Sequence, residues 1–248
     1  MCHSSREEGF LTENPVGKHC LERSSAKENE FVSLLDKNRK NPINSERPPS
    51  NCDRQAPLFY FADICAGPGG FSEYMLWRKR FYNAKGFGFT LKGTDDVRLG
   101  WFTASSPHYF EPFYGKLGDG DVMKPENINS LEEFIMEGTN NVGVDLMMAD
   151  GGYNVKGSEV IQEIISQRLY LCQMLASLCV VREGGNSLCK LFDVFTPFSA
   201  GLIYLMCVAY DQVAIHKPHN SRPANSERWL RTFFSLGARF RRHVLWPH

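Results

Sequence analysis

Three glycines and a proline fall within nine residues at Asp63-Ile64-Cys65-Ala66-Gly67-Pro68-Gly69-Gly70-Phe71. An apolar run precedes this segment and a helical pattern follows it, the order of strand, tight turn and helix. Glycines in such a turn let the main chain come close to a ligand, and the unpaired N–H groups of a helix amino terminus attract a carboxylate. Cys65, Ala66, Gly67, Pro68, Gly69, Gly70 and Phe71 are therefore candidate ligand-binding residues. A turn that holds nothing is the competing reading of the same glycines. The spacing departs from the G-x-G-x-x-G dinucleotide fingerprint, and no G-x-x-x-x-G-K-[ST] phosphate loop occurs, which argues against nicotinamide and nucleoside triphosphate chemistry.

The elements that must position this turn alternate. Residues 58–65 predict a strand, 71–80 a helix and 84–91 a second strand, the opening of a parallel sheet. A loop-rich stretch runs through Gly118-Asp119-Gly120-Asp121-Val122, followed by a helix over 126–137 and an apolar, buried strand over 144–149 that ends on Asp150. Ile161, Ile164, Ile165, Leu169, Cys172 and Leu175 recur at helical spacing, predicting a long helix over 159–181 with one core-facing stripe, closed by Gly184-Gly185. Residues 187–192 read as the next strand, Pro197 as the first turn of a helix through 201–209, and 212–216 as a further strand. The expected fold class is α/β: a doubly wound, mostly parallel sheet with helices on both faces and ligands at the carboxyl ends of its strands.

With 248 residues the chain is long enough for one α/β core. Lysine plus arginine and aspartate plus glutamate number 28 each, so contact with a polyanion must come from a local patch. The eight cysteines lie mostly in apolar runs without CxxC spacing, which predicts a reduced, intracellular protein with no zinc site. The apolar runs at 171–181 and 201–209 are too short to span a bilayer, and the polar amino terminus lacks a secretory signal, so no membrane association is expected. Three regions are expected: a polar, partly ordered arm over 1–57, a folded domain over 58–229, and a divergent basic tail over 230–248.

Asp63-x-Cys65-Ala66-Gly67-Pro68-Gly69-Gly70-Phe71-Ser72-Glu73-Tyr74 resembles the cofactor motif of the FtsJ-like family of S-adenosylmethionine-dependent RNA methyltransferases. Leu76-Trp77-Arg78-Lys79, Lys85-Gly86-Phe87-Gly88 and Thr90-Leu91-Lys92-Gly93 extend the likeness toward that family's cap-specific mRNA 2′-O-methylating branch, over residues 58 to about 229. The resemblance implies a Rossmann-like methyltransferase fold and S-adenosyl-L-methionine as cofactor. It implies 5′-capped mRNA as substrate, methylated on the first transcribed ribose. It further implies the nucleus as location, transcription or capping proteins as partners, and no metal. Ribosomal or transfer RNA as substrate, and a protein that binds cofactor or capped RNA without turnover, stay open as alternatives.

The family uses a Lys-Asp-Lys-Glu tetrad. By local context it falls on Asp150 in Met148-Ala149-Asp150-Gly151-Gly152, Lys190 in Cys189-Lys190-Leu191-Phe192-Asp193 and Glu227 in Asn225-Ser226-Glu227-Arg228. Lys27, with Lys37 behind it, is the candidate for the first lysine. The chemistry has its own logic: a ribose hydroxyl is a poor nucleophile at neutral pH and needs a base and a fixed in-line approach to the methyl group. Lys190 is the candidate base, with Asp150 and Glu227 orienting the ammonium groups. The resemblance also implies Asp121 and Val122 at the adenine, and Val160, Ile161, Gln162 and Asn225 at the RNA. Arg222 and Arg228 are candidates for phosphates, and Tyr153 for stacking on a base.

Overall fold

In the computed structural model of the protein the described residues are 57–79, 82–94, 96–103, 105–219 and 221–235. The arm, its lysines 27 and 37, and the tail beyond 235 lie outside them. The order of elements is β1 (Phe59–Ile64), α1 (Gly70–Arg78), β2 (Ala84–Phe89), β3 (Phe110–Phe113), α2 (Pro125–Gly138), β4 (Val144–Ala149), α3 (Gln162–Val180), β5 (Val181–Phe192), α4 (Pro197–Ala209), β6 (Tyr210–His216) and β7 (Glu227–Ser235). The strands form one seven-stranded sheet in the order β3-β2-β1-β4-β5-β7-β6. Neighbours from β3 to β5 pair in parallel, and β7 runs antiparallel between β5 and β6. This is the doubly wound, mostly parallel sheet that the alternating pattern predicts.

Both faces of the sheet are covered, which explains why β1 and β4 are apolar at nearly every position. Phe61, Leu146, Met148, Leu188 and Trp229 point to one face and pack on Phe71, Tyr74, Met75 and Leu76 of α1. On the other face Ala62, Ile64, Phe87, Phe89, Met147 and Ala149 meet Ile128, Leu131 and Ile135 of α2 and Leu169, Cys172 and Ala176 of α3. Leu191 and Leu230 continue that layer under Leu202, Met206 and Ala209 of α4. Thr196 caps α4 by accepting from the Ser199 N–H at 3.2 Å, with Pro197 in the first turn where its missing N–H costs nothing.

Four expectations change. The stretch read as loop holds a short edge strand, β3, whose four residues are too few to show a period. The glycine pair Gly184-Gly185 does not close α3. The helix passes into β5 at Val181, and the glycines sit in an irregularity where pairing jumps from Val144↔Val181 to Leu146↔Asn186. The helix itself starts at Gln162, after a single 3-10 turn over Glu159–Ile161. Its core stripe differs in part: Ile161, Ile164 and Ile165 are exposed, whereas Leu169 and Cys172 are buried as expected. Ser166, Tyr170, Gln173, Ala176, Ser177 and Val180 are fully buried beside them. Tyr170 and Gln173 grip the chain at the strand ends. Tyr170 Oη accepts from the Phe192 N–H at 2.6 Å and donates to the Phe192 carbonyl at 3.1 Å, and Gln173 Oε1 accepts from the Gly151 N–H at 2.8 Å.

Candidate active site

One row of paired residues crosses the sheet: Phe89, Ile64, Ala149 and Cys189 stand side by side on β2, β1, β4 and β5. The next residue on each strand is Thr90, Cys65, Asp150 and Lys190, so the glycine turn, the acid and the lysine emerge together at the carboxyl edge. Cys65 takes a left-handed backbone, φ 61°. Its N–H and that of Ala66 both donate to the Phe89 carbonyl, at 2.6 and 3.2 Å, while the Gly67 N–H donates to Thr90 Oγ1 at 3.3 Å. The turn is thus pinned to the end of β2, and a cis peptide bond joins Gly67 to Pro68.

Gly69 precedes α1 at φ 113°, a conformation that disfavours any side chain. Gly69 at the head of α1 offers no side chain to the first-turn N–H groups, which can therefore face a ligand. Beneath it lies Asp63, 1% exposed, with Oδ2 accepting from Ser72 Oγ at 2.6 Å and Oδ1 buried without a hydrogen-bond partner. Burial pushes the Asp63 carboxyl up to about 7, opposed by the Ser72 bonds and reinforced by Asp150. The Cys65 thiol is pushed up to about 12, chiefly by burial and then by Asp63; Lys190 opposes this, and Asp150 and Asp121 add to it. A single sulfur therefore senses the turn, the acid–lysine pair and the 119–123 loop.

That loop is built on Asp119. Lys124 Nζ bonds and ion-pairs with its Oδ2, and Oδ1 accepts from Asn127 Nδ2 at 2.7 Å and the Asp121 N–H at 3.1 Å. The Lys124 bond, then those from Asp121 and Asn127, hold the Asp119 carboxyl down to about 2. Asp121 Oδ1 accepts from the Met123 N–H at 2.9 Å, and Val122 is buried in the core layer under α2. Gly120, φ 70°, lies so close to the end of β2 that a Cβ there would fall 1.6 Å from the Thr90 carbonyl oxygen. Tyr153 reaches this loop while its ring stays partly exposed: its hydroxyl donates to Met123 Sδ at 3.1 Å, and Asp121 is a nearby charge.

Lys190 Nζ donates to the Asp150 carbonyl at 2.8 Å and lies 2.6 Å from Asp150 Oδ1, an ion pair without the alignment of a hydrogen bond. The lysine side chain is 14% exposed and the aspartate 35%. Gly152 packs against it, since a Cβ there would stand 3.3 Å from Nζ. Antiparallel pairing sets Lys190 opposite Trp229 and Phe192 opposite Glu227, which places Lys190 and Glu227 as diagonal neighbours on one face. Glu227 is buried; its Oε2 accepts from Ser221 Oγ at 2.9 Å and Asn225 Nδ2 at 3.3 Å, and its Oε1 from Trp229 Nε1 at 3.0 Å.

The expected RNA contacts gather beyond Glu227. Gln162 Oε1 accepts from Ser226 Oγ at 3.1 Å, which brings the start of α3 beside Asn225. Val160 is fully exposed and Ile161 half so, forming an apolar rim on that edge. Arg228 Nη1 turns back to the carbonyls of Glu227 and Asn225, whereas Arg222 is exposed. Sequence reasoning missed Thr90, Asp119, Asn127, Gln173, Lys217 and Ser221, which hold the loops in place. Only Asp119 carried a signal, the Asp-Gly-Asp alternation; the others act through contacts distant in sequence. Among the described residues no cluster of His, Cys, Asp or Glu could hold a metal, and no helix is long and apolar enough to cross a membrane.

Comparison with known proteins agrees with this fold. Over 191 residues the chain is 69% identical to cap-specific mRNA (nucleoside-2′-O-)-methyltransferase 1A of Caenorhabditis briggsae, covering 77% of this chain and 22% of that protein. It is 68% identical over 191 residues to a protein of the same organism named inactive cap-specific mRNA (nucleoside-2′-O-)-methyltransferase 1B, covering 77% and 23%. The chain thus spans under a quarter of the length of either relative. A putative ribosomal RNA methyltransferase from Plasmodium falciparum shares the fold with a TM-score of 0.56 at 16% identity, over 86% of this chain and 97% of that one. The FtsJ-like methyltransferase profile matches residues 34–233, and the chain belongs to that family.

Proposed function

We propose that this chain carries the transfer site of an S-adenosylmethionine-dependent methyltransferase that acts on the ribose 2′-hydroxyl of the first transcribed nucleotide of 5′-capped mRNA, converting cap 0 to cap 1. The observation that carries this reading is the Lys190–Asp150 pair, standing in the same row of the sheet as the glycine turn. The residues present fit the cofactor. Its carboxylate suits the α1 terminus headed by Gly69, its ammonium the orphaned buried oxygen of Asp63, and its adenine the cleft edge at Asp121, which Gly120 brings against β2. When bound, S-adenosylmethionine supplies an electrophilic methyl group on a sulfonium.

The chain's own residues do the rest. Lys190, having first released its proton so that it stands as the neutral amine, accepts the proton of the ribose hydroxyl as the oxygen attacks in line, and Asp150 holds the lysine nitrogen at one bearing. Glu227 and Asn225 orient the ribose from the opposite side, with the rim at Val160, Ile161 and Gln162 receiving the following nucleotide. Lys27, or Lys37, completes the tetrad in this proposal. Nuclear residence and recruitment by transcription or capping proteins belong to the same proposal.

A second reading, binding without turnover, is favoured by the 68% identity to a relative named inactive. The test is transfer of labelled methyl from S-adenosylmethionine to short RNAs that differ only in the cap. Capped RNA alone should be labelled, and Lys190→Met should abolish labelling while cofactor affinity stays within about threefold. Equal labelling of uncapped RNA moves the substrate to ribosomal or transfer RNA. Tight cofactor binding with no transfer by the parent chain overturns the catalytic reading.

A further inference from the structure

Lys217 leaves the carboxyl end of β6 and turns its ammonium into the loop that opens β7. Nζ donates to Asn225 Oδ1 at 2.8 Å, to the Asn225 carbonyl at 2.9 Å and to the Glu227 carbonyl at 3.4 Å. An ammonium has three donors and no acceptor, so these contacts use it fully. The consequence falls on the Asn225 amide, whose two ends have nearly the same shape while only the oxygen can face a cation. Its nitrogen is thereby turned to Glu227 Oε2, 3.3 Å away. Ser221, itself fixed by a turn onto Pro218, adds the second bond to that oxygen. Burial and the neighbouring Arg228 lower the Lys217 pKa, while Glu227 and Asp193 act against them.

From this geometry we propose that Lys217 is a positioning residue of the transfer site: it fixes which way the Asn225 amide points and, through that amide, holds the Glu227 carboxylate in register with Lys190. It rests on the reading above that Asn225 and Glu227 serve the ribose. It adds to that site a cation that is not part of the tetrad. A strap that merely tied β6 to β7 would need the charge near the loop, but not the orientation of the amide.

The comparison is between Lys217→Met, which keeps the stem and removes every donor, and Lys217→Arg, which keeps the cation. The first readout needs no turnover: the side-chain amide resonances of Asn225 by NMR, assigned through their loss in Asn225→Ala. In the parent one amide proton should be shifted by its carboxylate partner and slow to exchange. Lys217→Met should lose the shift and exchange about tenfold faster, and Lys217→Arg should keep both. Where the parent labels capped RNA, Lys217→Met should lower kcat by roughly tenfold to a hundredfold with the cofactor KM within about twofold, and Lys217→Arg should recover most of it. A parent chain that fails to label RNA sinks the functional reading and leaves the amide readout decisive. An unchanged Asn225 signal in Lys217→Met overturns the proposal, as does a parallel fall of kcat, cofactor affinity and melting temperature. If Lys217→Met does not fold, Lys217→Gln, with its amide donors but no charge, takes its place in both readouts.

Discussion

Alanine at position 120 should push the 119–123 loop, the proposed adenine side of the cofactor cleft, away from β2, while alanine at position 118 should leave it in place. Both glycines sit in the left-handed region, at φ 70° and 72°, so a side chain at either pays a strain of about 1–2 kcal/mol. They differ in space. A Cβ on Gly118 meets nothing within 4 Å, whereas one on Gly120 falls 1.6 Å from the Thr90 oxygen and 2.5 Å from its carbonyl carbon. A carbon and a carbonyl oxygen approach no closer than about 3.3 Å, so the loop must back away by roughly 1.7 Å. That movement stretches the bond from the Lys92 N–H to the Asp119 carbonyl, now 3.0 Å, and unseats Thr90, whose hydroxyl pins Gly67. Overpacking and lost hydrogen bonds together add about 2–4 kcal/mol for Gly120→Ala beyond the strain that both variants share. Urea denaturation of the two variants beside the parent measures that difference, and calorimetric titration with S-adenosylmethionine should show at least about tenfold weaker binding for Gly120→Ala alone. Equal stability and equal affinity of the two variants would refute the close approach of this loop to β2.

Two further outcomes follow from single side chains. Because Asp63 is raised from 3.8 to about 7, the folded protein keeps a proton that the unfolded chain has released, so its contribution to stability falls as pH climbs from about 4 to about 7 and is level above. Asp63→Asn is neutral throughout, and its stability relative to the parent should rise across that window; denaturation midpoints that move in parallel at about pH 5 and about pH 8 would show that Asp63 is already ionised at the lower pH. Tyr153→Ala should weaken cofactor binding by roughly fivefold to tenfold and Tyr153→Phe by less, both read by calorimetry. Loss of RNA affinity with cofactor binding untouched would return Tyr153 to a base-stacking role.

The parallel core was legible because burial on both faces writes itself into sequence: Phe61 and Ala62 point opposite ways, and both must be apolar. The turn at Gly67–Gly70 was legible for a similar reason, since the left-handed φ of Gly69 restricts residue type at the position itself. Asp150 and Lys190 were found by local context, and pairing across β4 and β5 brings them into contact although they stand 40 positions apart. Ile161, Ile164 and Ile165 repeat at helical spacing, yet they are exposed around the start of α3, where Gln162 meets Ser226. Gln173 and Ser177 are buried, and no periodicity of apolar residues can announce a buried polar side chain. Lys217 was invisible for the complementary reason: its partners lie at 225 and 227, and only the antiparallel β6–β7 pairing brings it to them.

The residues that hold the fold are not the proposed catalytic ones, which fits the near-equal similarity of this chain to the relative named methyltransferase 1A and to the one named inactive 1B. The identities of 69% and 68% over 191 residues differ by about two positions. The layers that hold the sheet use Phe61, Met148, Leu188 and Trp229 under α1, and Ala149 and Cys189 under α3. None of them is a charged group of the site. Lys190 and Asp150 stand at the carboxyl edge of the sheet, outside those apolar layers, with the lysine side chain 14% exposed and the aspartate 35%. On the proposed role of Lys190 as base, removing its nitrogen takes away the group that accepts the ribose proton and leaves those apolar layers in place. Overall likeness therefore assigns the family and the fold, whereas on the proposed function catalysis rests on a few charged side chains, of which Asp150, Lys190 and Glu227 lie among the described residues.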